Sequence, residues 1–186
     1  MKPNVLHNSD ILFDGIDPSL TAAFAALVGF CRLINFAVKS ELRATTETYL
    51  DTMTSVIYRL TYMSFSPGSA DEAVRLGLLA FSTSVFLQWR QLGRPYSHLA
   101  HSYRDALSRV KHSQLHSRLM VWLFMAGAVS VFESADIEWL KPWLFANVDF
   151  FGVHSWSTLR RILGEVMWID LIHNQSGEAV FNRIVL

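Results

Sequence analysis

The feature that most constrains this chain is the helical spacing of apolar and aromatic residues through its last third. Residues 119–132 are almost entirely apolar, and apolar positions three and four residues apart continue through 156–163 and 168–173. These spacings place side chains on one face of an α-helix. Period-two alternation never extends beyond four or five residues, and no Asn-Gly or Asp-Gly hairpin signal separates β-branched runs. The pattern therefore predicts an all-α fold.

The composition indicates one folded domain with a sizeable core. Of 186 residues, 51% are apolar and 17% are charged, which argues against intrinsic disorder. Lysine plus arginine equal aspartate plus glutamate at 16 each, so there is no basic surface for nucleic acid and little repulsion between copies. The single cysteine, Cys31, excludes an intrachain disulfide and a zinc site built from several thiolates. We predict that Cys31 is a small buried residue on a helix.

Helix start and stop signals divide the chain into an irregular lead-in, residues 1–16, and one helical domain, residues 17–186. About eight helices are predicted, arranged as a bundle or as an array of helix pairs. Their predicted starts are Asp17, Glu41, Ser69, Pro95, Ser113, Asp136, Ser155 and Ser176.

Local signals support several of these boundaries. Asp17-Pro18 is an N-cap followed by a first-turn proline, and Ser69 with Glu72 has the form of a reciprocal capping box. The helix that starts at Asp136 is expected to be interrupted near Pro142. The helix from Ser155 is expected to extend through Ile169, because its apolar positions keep their helical spacing. Three glycines within helices are expected to permit close helix packing: Gly77, Gly127 and Gly164.

Two apolar stretches need to be weighed as membrane spans. Leu20–Val38 contains Arg32 and Asn35, and residues 119–132 are only 14 long, whereas a span needs about 20 predominantly apolar residues. Both are predicted to be buried core helices. Residues 1–10 lack the apolar segment of a signal peptide. We therefore expect an intracellular protein without a membrane partner.

Four histidines lie near one another in the sequence, namely His98, His101, His112 and His116. The first two are three residues apart and the last two are four apart, so each pair shares a helix face and two pairs could bind a metal ion. Asp105 is the one carboxylate at ligand spacing. Arginines and lysines surround the cluster and oppose a cation. We therefore predict a solvated polar face with an ordinary Asp105–Arg109 ion pair, and no metal or other cofactor.

Asp170 and His173 are three residues apart on a predicted helix, where a carboxylate could orient an imidazole as a general base. The alternative is a polar contact at a helix end beside buried Trp168. No serine or cysteine nucleophile is tied to this pair by sequence, and no phosphate-binding glycine loop, G-x-S-x-G or H-E-x-x-H motif is present. Asp170, His173 and His98 are the candidate acids or bases of an enzymatic function.

Aromatic residues are numerous, with six tryptophans and thirteen phenylalanines. Such side chains fill cores, and they also line pockets for small molecules. Core packing is the default for each residue, whereas the set as a whole could line an apolar pocket between helices. The candidate pocket residues are Trp89, Trp122, Trp156 and Trp168.

Three parts of the chain form a recognisable series: Asp71–Phe81, Leu119–Ser130 with its Trp-Leu-Phe-x-x-Gly-Ala core, and Ser155–Leu163 followed by Trp168–His173. In order and approximate spacing they resemble the fungal-specific transcription factor regulatory domain. The resemblance covers about residues 45–183 and consists of apolar and tryptophan positions. It implies the all-helical, ligand-responsive region of a regulator of metabolism or secondary metabolism. Members of this family bind DNA through six cysteines and two zinc ions, so we expect no direct nucleic-acid contact from a chain with one cysteine.

Two functions from different classes follow. The first is a regulatory-type domain in the nucleus, without its own zinc cluster, that binds a small apolar metabolite or a partner. The second is a cytoplasmic, cofactor-free cyclase or isomerase of secondary metabolism on the same scaffold, which would orient an apolar substrate in an aromatic cavity. A scaffold that only forms homo-oligomers is a third interpretation.

Overall fold

The computed structural model describes residues 11–40, 46–87 and 96–185, whose backbone forms eight α-helices without a strand. In chain order they are α1 (Pro18–Lys39), α2 (Thr46–Tyr62), α3 (Ala70–Ser82), α4 (Ser97–Arg109), α5 (Ser117–Ser130), α6 (Ser134–Phe150), α7 (Trp156–Val166) and α8 (Asp170–Val185). The prediction of an all-α domain with about eight helices is confirmed for these residues. The predicted starts at Glu41 and Pro95 lie outside the described residues.

Helix α5 is the centre of the fold. Every residue from Leu119 to Ser130 is buried, and α3, α6, α7 and α8 all pack against this helix. The indole Nε1 of Trp122 donates a hydrogen bond of 2.6 Å to the carbonyl of Met167. This bond joins α5 to the connection between α7 and α8, so a fully buried tryptophan leaves no unpaired donor.

Gly77 has the predicted role in helix packing, whereas Gly127 makes room for a ring of the segment that follows its own helix. A Cβ on Gly77 would overlap the side chains of Leu123 and Tyr103, and one on Gly127 would overlap the ring of Phe132. The prediction for Gly164 is wrong, because a Cβ there would meet no atom within 4 Å.

Helix α1 is buried along one face only. Its buried positions include Leu20, Phe24, Leu27 and Cys31, and α2, α3 and α8 pack against it. The expectation of a buried core helix therefore applies to only one side of α1. The helix is long and apolar enough to cross a membrane by length and composition, and 39% of its most apolar window is buried inside the domain.

The predicted caps at Asp17, Ser69 and Ser155 are confirmed. Asp17 accepts a hydrogen bond of 2.8 Å from the Ser19 amide, and the other two accept bonds from the third residue of their helices. At Ser69 only half of the expected capping box forms. The carboxylate of Glu72 instead makes two hydrogen bonds to Arg75, at 2.8 and 2.6 Å.

The predicted start of α5 at Ser113 is wrong. Ser113 lies in a 3-10 turn, His112–Gln114, and His116 is the N-cap of α5. The His116 side chain accepts a hydrogen bond from the Arg118 amide. An imidazole thus takes the place of the hydroxyl that the sequence led us to expect.

The predicted opening and interruption of α6 are also wrong. Asp136 lies in the first turn, where its Oδ2 accepts the N–H of the N-cap residue Glu133 at 3.1 Å. Pro142 is inside a continuous helix. Because residues 138 and 142 are both exposed, the backbone hydrogen bond that the proline removes lies on the solvent side.

The boundary between α7 and α8 differs from the prediction by six residues. Helix α7 ends at Val166, so Ile169 is not part of it, and α8 starts at Asp170 rather than near Ser176. The side chain of Asn35 in α1 holds this break. Its Nδ2 donates to the Trp168 carbonyl at 2.7 Å, and its Oδ1 accepts the Asp170 amide at 3.1 Å.

A π-helical turn, Thr83–Leu87, continues α3. Its wider i→i+5 spacing leaves backbone carbonyls open to other donors. The hydroxyl of Tyr49 in α2 lies within hydrogen-bond distance of the carbonyls of Val85 and Phe86, at 3.1 and 2.7 Å. This contact joins α2 to the end of α3.

Candidate functional site

His173 is the most deeply buried titratable candidate of the sequence analysis, with 1% of its surface exposed. It lies near the start of α8, between the rings of Phe81 and Trp168, whose centroids are 4.8 and 4.9 Å away. Its Nε2 is 3.0 Å from Ser84 Oγ, in the π-helical turn. Its Nδ1 accepts the Ile169 amide N–H at 3.3 Å.

These contacts determine the protonation state of His173. The hydroxyl of Ser84 donates to the Phe81 carbonyl at 2.7 Å, so Ser84 Oγ must accept from His173 Nε2–H. The imidazole is therefore neutral, with its proton on Nε2. Burial lowers the pKa of His173 to about 3, because a charged ring would lose its hydration among apolar neighbours.

Asp170 does not orient His173. Its carboxylate accepts two hydrogen bonds from Arg160, at 3.0 and 2.8 Å. This hydrogen bonding raises the pKa of the Arg160 guanidinium. Both nitrogens of His173 are engaged elsewhere. The geometry is that of the second alternative, a polar contact at a helix end beside Trp168.

The remaining histidines lie apart from this pair. His98 is exposed on α4, and it makes no hydrogen bond to Asp170 or His173 in the described part of the chain. His116 caps α5, and burial together with the Arg118 cation lowers its pKa. The predicted surface pair forms, with Arg109 Nε 2.9 Å from Asp105 Oδ1. Among the described residues, no three histidine, cysteine, aspartate or glutamate side chains are placed to hold a metal ion.

Of the candidate pocket tryptophans, Trp122 and Trp168 are core residues, and Trp156 is partly buried against the core. Trp122 is 0% and Trp168 is 2% exposed. Trp156 packs edge-on against Trp168 with ring centroids 6.2 Å apart, and both rings press on Gly177, where a Cβ would overlap them. Trp89 lies outside the described residues.

A polar cleft of ≈ 510 Å³ lies between α4 and the start of α6. We call it the α4–α6 cleft. Its charged groups are partly paired with one another, since Arg104 Nη1 is 3.0 Å from Asp136 Oδ1 and the guanidinium lies 5.0 Å above the ring centroid of Trp139. None of Trp122, Trp156 and Trp168 lines it. The aromatic cavity expected for an apolar substrate is therefore not found in this cleft.

A second cleft of ≈ 350 Å³ lies between α5, α6 and α8. We call it the α5–α6–α8 cleft. Ala128, Val129 and Ile137, all less than 9% exposed, line it on the α5 and α6 sides. The α8 side carries four lining residues at helical spacing, namely Ser176, Ala179, Val180 and Arg183.

Polar groups lie among the lining residues of the α5–α6–α8 cleft. Glu133 and Ser134 come from the start of α6, and Arg183 comes from α8. Arg183 donates from Nε and Nη2 to one oxygen of Glu138, at 3.1 and 2.6 Å. Both partners are exposed, with 43% and 59% of their side-chain surfaces accessible, so this pair is one that a ligand could replace at a cost of roughly 0.2–1 kcal/mol.

The sequence analysis missed this cleft. The segment from Ser176 to Arg183 does show a stripe at i, i+3, i+4 and i+7, but this stripe by itself predicts only a helix that starts near Ser176. The partner surfaces on α5 and α6 could not be read from spacing, because they depend on how the helices cross.

Comparison of the chain with protein-family models, curated proteins and solved structures gives no match. The likeness to the fungal regulatory domain rests on the sequence segments themselves. What the α5–α6–α8 cleft can bind follows from its own side chains.

Proposed function

We propose that this chain is a ligand-responsive regulatory domain that binds a small apolar carboxylate in the α5–α6–α8 cleft. The observation that carries the proposal is the cleft itself, which has a volume of ≈ 350 Å³ and a largely apolar lining, in which Arg183 supplies a cation and Glu133 a carboxylate. Ligand pockets in proteins are commonly several hundred Å³ in volume, mostly apolar, with a few polar groups that set orientation. The resemblance to the fungal regulatory domain supports the same reading.

The chemical class of the ligand follows from the two kinds of lining. Ala128, Val129 and Ile137 favour an apolar body, since each Å² of apolar surface removed from water contributes about 25 cal/mol. Arg183 favours a carboxylate, because a guanidinium can bind both oxygens at once. When Arg183 binds the ligand, the exposed carboxylate of Glu138 loses its ion pair with Arg183 and is hydrated by water instead. A medium-chain fatty acid combines both features.

Binding would be transmitted through helices that already enclose the core. The cleft joins α8, which carries His173, to α5, which carries Trp122. A ligand that draws Arg183 toward the cleft would bias the position of α8 relative to α5 and α6. We propose this displacement as the signal passed to the transcription machinery.

The enzyme alternative requires Asp170, His173 or His98 to reach a substrate. In the structure, Asp170 is paired with Arg160 and His173 with Ser84 and Ile169. These contacts favour structural roles for both. Replacing each of the three residues by alanine, in protein that still folds, should leave ligand binding at the cleft unchanged.

The proposal is tested by titrating the purified chain with decanoate and, as a neutral comparison, 1-decanol. Calorimetry should show decanoate binding more tightly, and Tm should rise with decanoate concentration as mass action requires.

Ala179→Trp fills the cleft from the exposed side of α8 and should abolish binding. Ala146→Trp, at an exposed alanine on α6 outside the cleft, is the matched control and should bind normally. Arg183→Ala should remove the preference for decanoate over decanol.

The regulatory part is tested by fusing the chain to a heterologous DNA-binding domain upstream of a reporter gene. Reporter output should change with added decanoate for the natural sequence and for Ala146→Trp, but not for Ala179→Trp. Equal responses of both tryptophan variants, or no decanoate binding by a folded chain, would reject the proposal.

A further inference from the structure

One side of α1 is apolar and faces outward along most of the helix. It carries six exposed residues at spacings of three and four, namely Ala22, Ala25, Ala26, Gly29, Leu33 and Phe36. Their positions fall within about 100° of the helix circumference. Leu33 is 40% and Phe36 is 61% exposed. We call this surface the α1 outer face.

Gly29 has no packing role within its own chain. A Cβ added there would meet no atom within 4 Å, and its φ is not in the left-handed region. A glycine in the middle of a helix destabilises it relative to alanine. Gly29 therefore fits a position where a second surface approaches the α1 backbone closely.

The α1 outer face is complementary in size to itself. Gly29 lies at the middle of α1, so an antiparallel pair with its two-fold axis there brings together residues equally far before and after it. Phe36 of one copy then faces Ala22 of the other, and Leu33 faces Ala25. Large side chains meet small ones at each of these points, and glycine meets glycine at the centre, as an isologous contact requires.

The charges at the two ends of α1 favour the same arrangement. Exposed Asp14 lies just before the helix, and exposed Lys39 is its last residue. In the described part of the chain neither of these two charges is paired with an opposite charge. Exposed Arg32 lies only three residues after Gly29 and does not belong to the basic end. Antiparallel pairing brings the acidic end of each α1 near the basic end of the other, and it also opposes the two helix dipoles favourably.

We propose that a second copy of this chain covers the α1 outer face, forming a two-fold dimer through antiparallel α1 helices. The dimer contact uses residues of neither cleft. The match of small and large residues about Gly29 favours a second copy as the partner.

Sedimentation velocity over a wide concentration range tests the proposal. The natural sequence should change from monomer to dimer as concentration rises. Gly29→Gln should remain a monomer at concentrations at least tenfold higher, while its Tm measured on dilute protein stays the same or rises. Gly164→Gln is the matched control, because Gly164 is an equally open helical glycine on α7. It should dimerise like the natural sequence. A natural chain that is monomeric throughout, or a Gly29→Gln chain that still dimerises, would overturn the proposal.

Cysteine cross-linking tests the direction of the helices. Cys31 is buried, and burial raises the pKa of its thiol, so it does not compete with introduced cysteines. A mixture of Ala22→Cys and Phe36→Cys chains should form a disulfide-linked dimer, whereas each alone should not. Self-linking of Ala22→Cys would show a parallel arrangement and contradict the proposal. The proposal would also be contradicted if both the natural sequence and Gly29→Gln bound to vesicles of anionic phospholipid and neither chain dimerised.

Discussion

Helices α5 and α1 are the two strongly apolar helices of this chain, and the fold treats them differently. α5 is buried on all sides from Leu119 to Ser130 by α3, α6, α7 and α8. α1 is buried on one side only, by α2, α3 and α8. Apolar content alone therefore does not determine how far a helix is buried. The burial of a helix depends on how many of its sides neighbouring helices contact.

The two helices use glycine in opposite ways. The space beside Gly127 in α5 is occupied by the ring of Phe132, which is itself 0% exposed. Gly29 in α1 faces open space. The same residue type thus marks a completed contact in the interior and an uncovered surface at the periphery.

The largest difference between the two helices is expected from truncating one aromatic side chain in each. Trp122→Ala should lower the free energy of unfolding by about 4 kcal/mol, because it leaves a cavity and an unpaired Met167 carbonyl. Phe36→Ala should change it by less than about 0.5 kcal/mol, as expected for an exposed residue. Urea unfolding of dilute protein measures both. A cost at Phe36 near that at Trp122 would mean that α1 is covered in the monomer.

The interior around α5 should also respond to pH in a way that α1 does not. Phe81, which packs on Trp122, packs on His173 as well. The folded-state pKa of His173 is about 3, below the value near 6.5 of an unfolded chain. The neutral ring therefore contributes its full stability above pH 6.5, and this contribution is lost as the pH falls toward 3.

Between pH 7 and pH 5, this one histidine should lower the free energy of unfolding by about 2 kcal/mol. Urea unfolding at the two pH values measures the change. His173→Gln should be less stable at pH 7 but should lose most of this pH dependence. If the variant keeps the dependence of the natural sequence, His173 is not its source.

Alanine at the two glycines should give changes of opposite sign in the free energy of unfolding. Gly127→Ala should destabilise by roughly 1–3 kcal/mol, since the Phe132 ring must move in a packed core. Gly29→Ala should stabilise the monomer by up to about 1 kcal/mol through helix propensity. Thermal unfolding of dilute protein gives the sign of each change. If both substitutions changed the stability in the same direction, the contrast between the packed glycine of α5 and the uncovered glycine of α1 would not hold.

Much of the fold could be predicted from local patterns. The apolar run of α5, the Asp17 and Ser155 caps and the spacing within α1 are all properties of neighbouring residues, which determine helices directly. The start of α8 could not be predicted, because no glycine or proline marks the break after Val166. The break is held instead by Asn35, which is more than 130 residues away in sequence.

The candidate site was harder to predict for the same reason. Asp170 and His173 are at helical spacing, yet their partners are Arg160 and Ser84. The His173–Ser84 contact joins residues 89 apart in the chain and depends on the π-helical turn. Spacing shows which side chains can share a helix face, but not which other helix has already engaged them.

The π-helical turn has a consequence for how this chain can vary. Its i→i+5 bonds accommodate one more residue per turn than an α-helix does. A one-residue deletion between Thr83 and Leu87 would close the segment as ordinary α-helix and move the side chains and carbonyls of this turn. Ser84 would then turn away from His173, and Tyr49 would lose its two carbonyl acceptors. Descendants of this sequence should therefore preserve the length of this segment more strictly than the identity of its residues.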